Sequence, residues 1–111
     1  MADDIIKTTE TMLKEGSLTT NPHGAADQKA KLSGEFSFSI GILEDIMSRK
    51  PLIWTTMRAK HKSDKACDNE WSATEDGINE IGMRLRVKRI SVLISALNSL
   101  MKLAEYEMRN V

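Results

Sequence analysis

Residues 83–108 read MRLRVKRISVLISALNSLMKLAEYEM, with apolar members at Met83, Val87, Ile90, Ile94, Leu97, Met101, Ala104 and Met108. The steps alternate between four and three, the rhythm of a helix built to lie against another helix. A lone helix in water is not held by such a stripe. Something must cover it, either the same chain or another copy.

Upstream, Thr74 followed by Glu75 and Asp76 marks the start of this helix. The hydroxyl caps free backbone N–H groups, and the acids suit the positive end of the helix dipole. The pattern runs to about Arg109, roughly 50 Å at 1.5 Å per residue. Such length points to an antiparallel hairpin, an oligomer, or both. With Val87, Ile94, Met101 and Met108 at position a, and Met83, Ile90, Leu97 and Ala104 at d, the g positions include Leu93 and Leu100. An apolar g widens the stripe and suits a bundle of several helices. Covering each Ile or Leu is worth about 1.5–3 kcal/mol. The arm of residues 36–57 is shorter and weakened by Gly41 and Pro51, so it is expected to cover only part. The spacing therefore predicts self-association through Val87, Ile90, Ile94, Leu97, Met101, Ala104 and Met108.

Toward the N-terminus, a short helix is expected over residues 4–15, marginal unless docked. Residues 16–27, GSLTTNPHGAAD, collect Gly16, Asn21, Pro22 and Gly24 and read as a flexible linker. A second helix is expected from about Asp27 through Leu32, Phe36, Ile40, Leu43 and Met47. Gly34 and Gly41 weaken it by about 1 kcal/mol each. FSFSIGI at 36–42 also alternates like a strand, but helical spacing on both flanks favours helix. Pro51 either kinks this helix or opens a new one at its first turn. Ser63 is expected to cap a further turn reaching Trp71, which is expected to pack at the hairpin corner. The chain thus reads as all-α: a short helix and flexible linker over 1–27, then a helical-hairpin interaction domain over 28–111.

The 111 residues suffice for one small domain. Aromatic residues are only 5 %, and seven methionines suit an aliphatic helical core. A single cysteine, Cys67, allows no internal disulfide and fits a reducing compartment. No apolar run approaches the roughly 20 residues of a membrane span, and the acidic start is wrong for a signal peptide. A cytoplasmic protein is expected, with no membrane partner.

The net charge of zero hides segregation. Residues 49–67 hold six bases and one acid, residues 68–80 five acids and no base, and residues 81–102 five bases and no acid. Arg49, Lys50, Arg58, Lys60, Lys62 and Lys65 with Trp54 form one basic–aromatic group. Arg84, Arg86, Lys88 and Arg89 form another, opposite the apolar stripe. Such groups can follow a phosphate backbone and stack a base. The competing reading is a solvated face that pairs with the acidic segment. His23 and His61 lack metal-ligand spacing, and the acids around Asp68 lack a calcium-loop pattern. With no Gly-rich phosphate loop and no nucleophile–base pair, neither an enzyme nor a cofactor is expected.

KSDKACDNEW at 62–71, SATEDG at 72–77 and LRVKRISVLISALNSL at 85–100 follow a basic–aromatic arm. This layout resembles small helical proteins of tailed bacteriophages, most of all the UvsY-type recombination mediators. The resemblance implies ring-like oligomers joined by C-terminal helices, binding to single-stranded DNA, and loading of a recombinase in the bacterial host cytoplasm. It would make Arg58, Lys60, Lys62 and Lys65 the DNA arm, and Ile90, Ile94, Leu97 and Met101 the oligomer contacts. This chain departs in its longer acidic N-terminus and neutral charge. The expectation is an oligomeric accessory protein that binds single-stranded nucleic acid. The alternative is a protein-only adaptor or phage assembly factor acting through its heptad helix.

Overall fold

A computed structural model describes residues 2–109, with side chains from Ile5 onward. Four helices follow in order: α1 (Ala2–Glu15), α2 (Pro22–Arg58), α3 (Asp64–Ala73) and α4 (Glu75–Arg109). No strand occurs among the described residues. The chain divides into two compact units, Met1–Ser37 with Lys88–Val111, and Phe38–Val87, so α2 and α4 each supply a half to both. α1 belongs to the first unit, with the start of α2 and the end of α4.

In the first unit, α1 stops where Gly16 turns to φ +75°. The Gly16 N–H donates to the Leu13 carbonyl at 3.2 Å and the Ser17 N–H to the Met12 carbonyl at 3.1 Å. This glycine-ended C-cap satisfies the last carbonyls of the helix. The expected linker is shorter than residues 16–27. Asn21 Oδ1 accepts from the Gly24 N–H at 2.9 Å. Pro22 takes the first helical position, where its missing N–H is harmless. The Asn–Pro pair is therefore a helix cap, and α2 starts five residues before Asp27.

Ile6 of α1, Leu18 of the turn, and Ala25 and Leu32 of α2 close over Ile90, Leu93 and Leu97 of α4 in one apolar core. Thr9 is buried as well, its hydroxyl 2.7 Å from the Ile5 carbonyl and 3.1 Å from Gln28 Oε1, which ties α1 to α2. Ile90 and Leu97 of the stripe expected between copies are thus buried within the chain itself. The cover over Ile90 and Leu97 comes from α1, Leu18 and the first half of α2, with Phe36 of the expected arm packed against the same core.

In the second unit the two long helices run antiparallel. Lys50 meets Glu80, Ser39 meets Arg86 and Arg49 meets Asp76. Residues 36–42 are helical, and Pro51 lies inside α2 rather than opening a new helix. The buried positions of α2 are Ala25, Gln28, Leu32, Ser39 and Ile46, whereas Phe36, Ile40 and Leu43 of the expected row are half-buried and Met47 is exposed. Cys67 and Trp71 of α3 join Ile46 in the interior.

The α3–α4 corner is made by Thr74. Its N–H and hydroxyl both donate to the Trp71 carbonyl, at 3.0 and 2.6 Å, and its oxygen accepts from the Gly77 N–H at 3.0 Å. One residue thus ends one helix and caps the next. The turn is so tight that a Cβ on Gly77 would stand 1.8 Å from the Trp71 carbonyl oxygen. Ser63 caps α3 as expected, its oxygen accepting from the Ala66 N–H at 3.2 Å.

Candidate functional site

Most of the arginines expected to face a ligand are engaged inside the chain. Arg58 leaves the end of α2 and folds back over the corner. Its Nε donates to Asp64 Oδ1 at 2.6 Å and its Nη1 to the His61 carbonyl at 2.7 Å. His61 in turn pairs with Glu70. Arg84 Nε donates to Glu80 Oε2 at 3.1 Å, one helical turn away. Half-buried Arg86 donates to the Ser39 hydroxyl at 3.1 Å, and Arg89 pairs with Glu10. The four cations of residues 84–89 therefore do not project together into solvent. Lys88 alone among them is exposed with no ion pair to a described residue.

Lysines behave differently. Lys60, Lys62 and Lys65 sit on the turn between α2 and α3 and on the first turn of α3. All three are exposed, and none pairs with a described carboxylate. The side chains that could neutralise this corner are occupied: Asp64 by Arg58, Glu70 by His61 and Asp68 by Trp54. The corner still carries those three negative charges, so its field is modest.

Trp54 is half-buried, its indole N–H donating to Asp68 Oδ1 at 2.8 Å. Its carbonyl lies 3.5 Å from the Cys67 thiol. The indole lines an open cleft of about 410 Å³ with Met47, Lys50, Pro51, Thr55 and Asp68. It acts as a packing residue of the α2–α3 junction with one face on a groove. The Cys67 thiol is pushed up from its ordinary pKa by burial first, then by Asp68 and Glu70. That suppresses the thiolate, the reactive form.

Glu80 is the polar hub of the second unit. It is only 7 % exposed, and it accepts from Lys50 Nζ at 3.0 Å, the Trp71 indole at 2.9 Å and Arg84 at 3.1 Å. Burial pushes its pKa up, but the three donors outweigh burial and hold it below the usual glutamate value. Lys50 also lies over the Trp71 ring, 5.3 Å from its centre. This arrangement neutralises buried charge and fixes the corner. It leaves no open acceptor for a substrate.

Of the seven expected oligomer contacts, Ile90 and Leu97 are fully buried. Val87, Ile94, Met101 and Ala104 are half-buried, and Met108 is exposed. Sequence reasoning passed over a second apolar row on the opposite side of α4. Ile78, Ile81, Leu85, Val92, Leu103 and Tyr106 are all exposed, Leu85 by 60 % and Val92 by 62 %. Its signal is a recurrence every seven residues at Ile78, Leu85, Val92 and Tyr106, missed at Ser99.

Among the described residues, no three His, Cys, Asp or Glu side chains come together as a metal site. No helix among the described residues is long and apolar enough to cross a membrane. No protein family, curated protein or solved structure matches this chain.

Proposed function

We propose that this protein is a non-catalytic helical accessory factor whose copies together hold single-stranded nucleic acid, in the manner of a phage recombination mediator. The observation that carries the reading is the α2–α3 corner. Lys60, Lys62 and Lys65 are exposed there, and the carboxylates beside them are already committed. Ammonium groups on flexible stems suit a backbone of irregular shape, because they need no fixed fork geometry. Trp54 contributes mainly by shaping the adjacent cleft.

Three phosphate contacts give a weak grip with a salt slope of about −2 for a single strand. Affinity would then fall roughly 20-fold between 50 and 200 mM salt. Two copies on one strand double the slope to about −4, and the loss becomes roughly 300-fold. Titrating a labelled oligodeoxythymidine across that range tests the reading. A slope between those values, reduced by Lys60→Glu and Lys62→Glu, supports it. Absence of binding at low salt, or binding that ignores salt, rejects it.

The second apolar row on α4 favours a protein-only adaptor as the alternative reading. Charge reversal at Lys60 and Lys62 separates the two, because an adaptor keeps its protein partner when those lysines are reversed.

A further inference from the structure

We propose that the outer face of α4 around Gly82 is a two-fold contact between copies of this chain, with the two helices antiparallel. The inference deepens the multi-copy part of the proposed function and rests on that part alone. Ile78, Ile81 and Leu85 are exposed by 59, 49 and 60 %. Their steps of three and four place them on one face of α4. Gly82 interrupts that face, and a Cβ there would meet nothing within 4 Å. The glycine therefore serves no packing inside the chain, and its missing side chain lets another backbone approach closely.

The order of residues along the helix indicates the occupant. Read forward it is Glu75, Ile78, Ile81, Gly82, Leu85, Lys88. Laid against itself in reverse, it sets Glu75 opposite the second copy's Lys88, Ile78 opposite its Leu85, and Ile81 opposite its Gly82. Acid meets base at both ends, large meets large, and the large Ile81 meets the gap. Glu75 and Lys88 are both exposed, and neither pairs with a described residue. A patch complementary to its own reverse is what a closed two-fold interface requires. Parallel pairing would instead set Glu75 against Glu75, Lys88 against Lys88 and Arg89 against Arg89. Electrostatics thus selects the orientation. A contact made by one face of a single helix is expected to be weak and concentration-dependent.

Sedimentation of the full chain across a wide concentration range tests the contact. Glu75→Lys and Lys88→Glu are each expected to weaken association roughly tenfold or more, since each change turns two attractive pairs repulsive. The double variant is expected to return close to the parent. Failure of the chain to associate, indifference to either single change, or no recovery in the double overturns the proposal. A second experiment works at the two-fold axis, with buried Cys67 left in place. Under mild oxidation Ile81→Cys, which adjoins the axis and leaves the Gly82 gap open, should form a disulfide-linked dimer. Ile78→Cys should not, unless mixed with Leu85→Cys. Cross-linking of Ile78→Cys with itself, or none at Ile81→Cys, refutes the antiparallel arrangement. A steep salt slope on oligonucleotide that survives such a refutation leaves the nucleic-acid reading standing on another interface. A dimer of the expected symmetry that ignores oligonucleotide removes the nucleic-acid reading alone.

Discussion

Replacing Gly77 by alanine, and separately Gly82 by alanine, tests the helix packing with one chemical change at two points on α4. Both positions are helical, where Gly→Ala alone stabilises by about 0.5–1 kcal/mol. At Gly82 nothing lies within 4 Å of the added carbon, so that gain is expected intact. At Gly77 the carbon would stand 1.8 Å from the Trp71 carbonyl oxygen, 2.6 Å from its carbonyl carbon and 2.9 Å from the Ser72 Cα. All three are backbone atoms, so no rotamer change relieves the clash. The oxygen must retreat by more than an ångström, and it is the same oxygen that accepts from the Thr74 N–H and hydroxyl. Overpacking costs about 1–3 kcal/mol and a damaged cap about 1 kcal/mol more. After the propensity gain, Gly77→Ala should lose about 1–3.5 kcal/mol, a fall in Tm of roughly 4–14 °C. Gly82→Ala should rise by a few degrees. Thermal unfolding by circular dichroism, at a concentration low enough to keep the chain monomeric, reads both. Equal shifts in the two variants, or a Gly77→Ala chain as stable as the parent, would refute the tight α3–α4 corner.

Three further variants address the two units separately. Glu80 has a folded pKa held below its unfolded value, so its contribution is present above the ordinary glutamate pKa of 4.5 and fades as pH falls through the folded value. Stability of Glu80→Gln should therefore fall less steeply on acidification below that point than the parent's, a difference visible in urea midpoints at several acidic pH values. In the first unit, Leu97→Ala should cost about 2–5 kcal/mol as a buried large-to-small change. Leu85→Ser, on the exposed outer face, should leave the monomer's unfolding midpoint within about 0.5 kcal/mol of the parent.

Much of the helical layout was legible because its signals are local. Thr74, Glu75 and Asp76 announce α4 within one turn, Ser63 announces α3, and the stripe from Met83 onward names the buried side of α4. Asn21–Pro22 was equally local, yet it was counted as turn chemistry; as N-cap and first helical residue the same pair opens a helix. The cover over Ile90 and Leu97 was not legible. It depends on Ile6 and Leu18 arriving from the far end of the chain, and no short-range pattern records that. The basic groups failed for the same reason. Arg84 reaches Glu80 at a spacing of four, which spacing alone could have flagged. Arg89 finds Glu10 at a separation of 79 residues and Arg86 finds Ser39 at 47. The outer row of α4 escaped notice because Lys88, Arg89, Ser95 and Ser99 interrupt it, whereas the inner row runs unbroken.

The account turns on Ile90, Leu93 and Leu97 of α4 being closed over by their own chain, so that the proposed association and nucleic-acid contact would fall on other surfaces. Dilution to low micromolar concentration, with helicity and sedimenting mass followed together, tests this most directly. A monomer that keeps its full helix signal is the predicted result. Helicity that disappears in step with dissociation would show that Ile90, Leu93 and Leu97 need a second copy to stay buried, and would contradict the account.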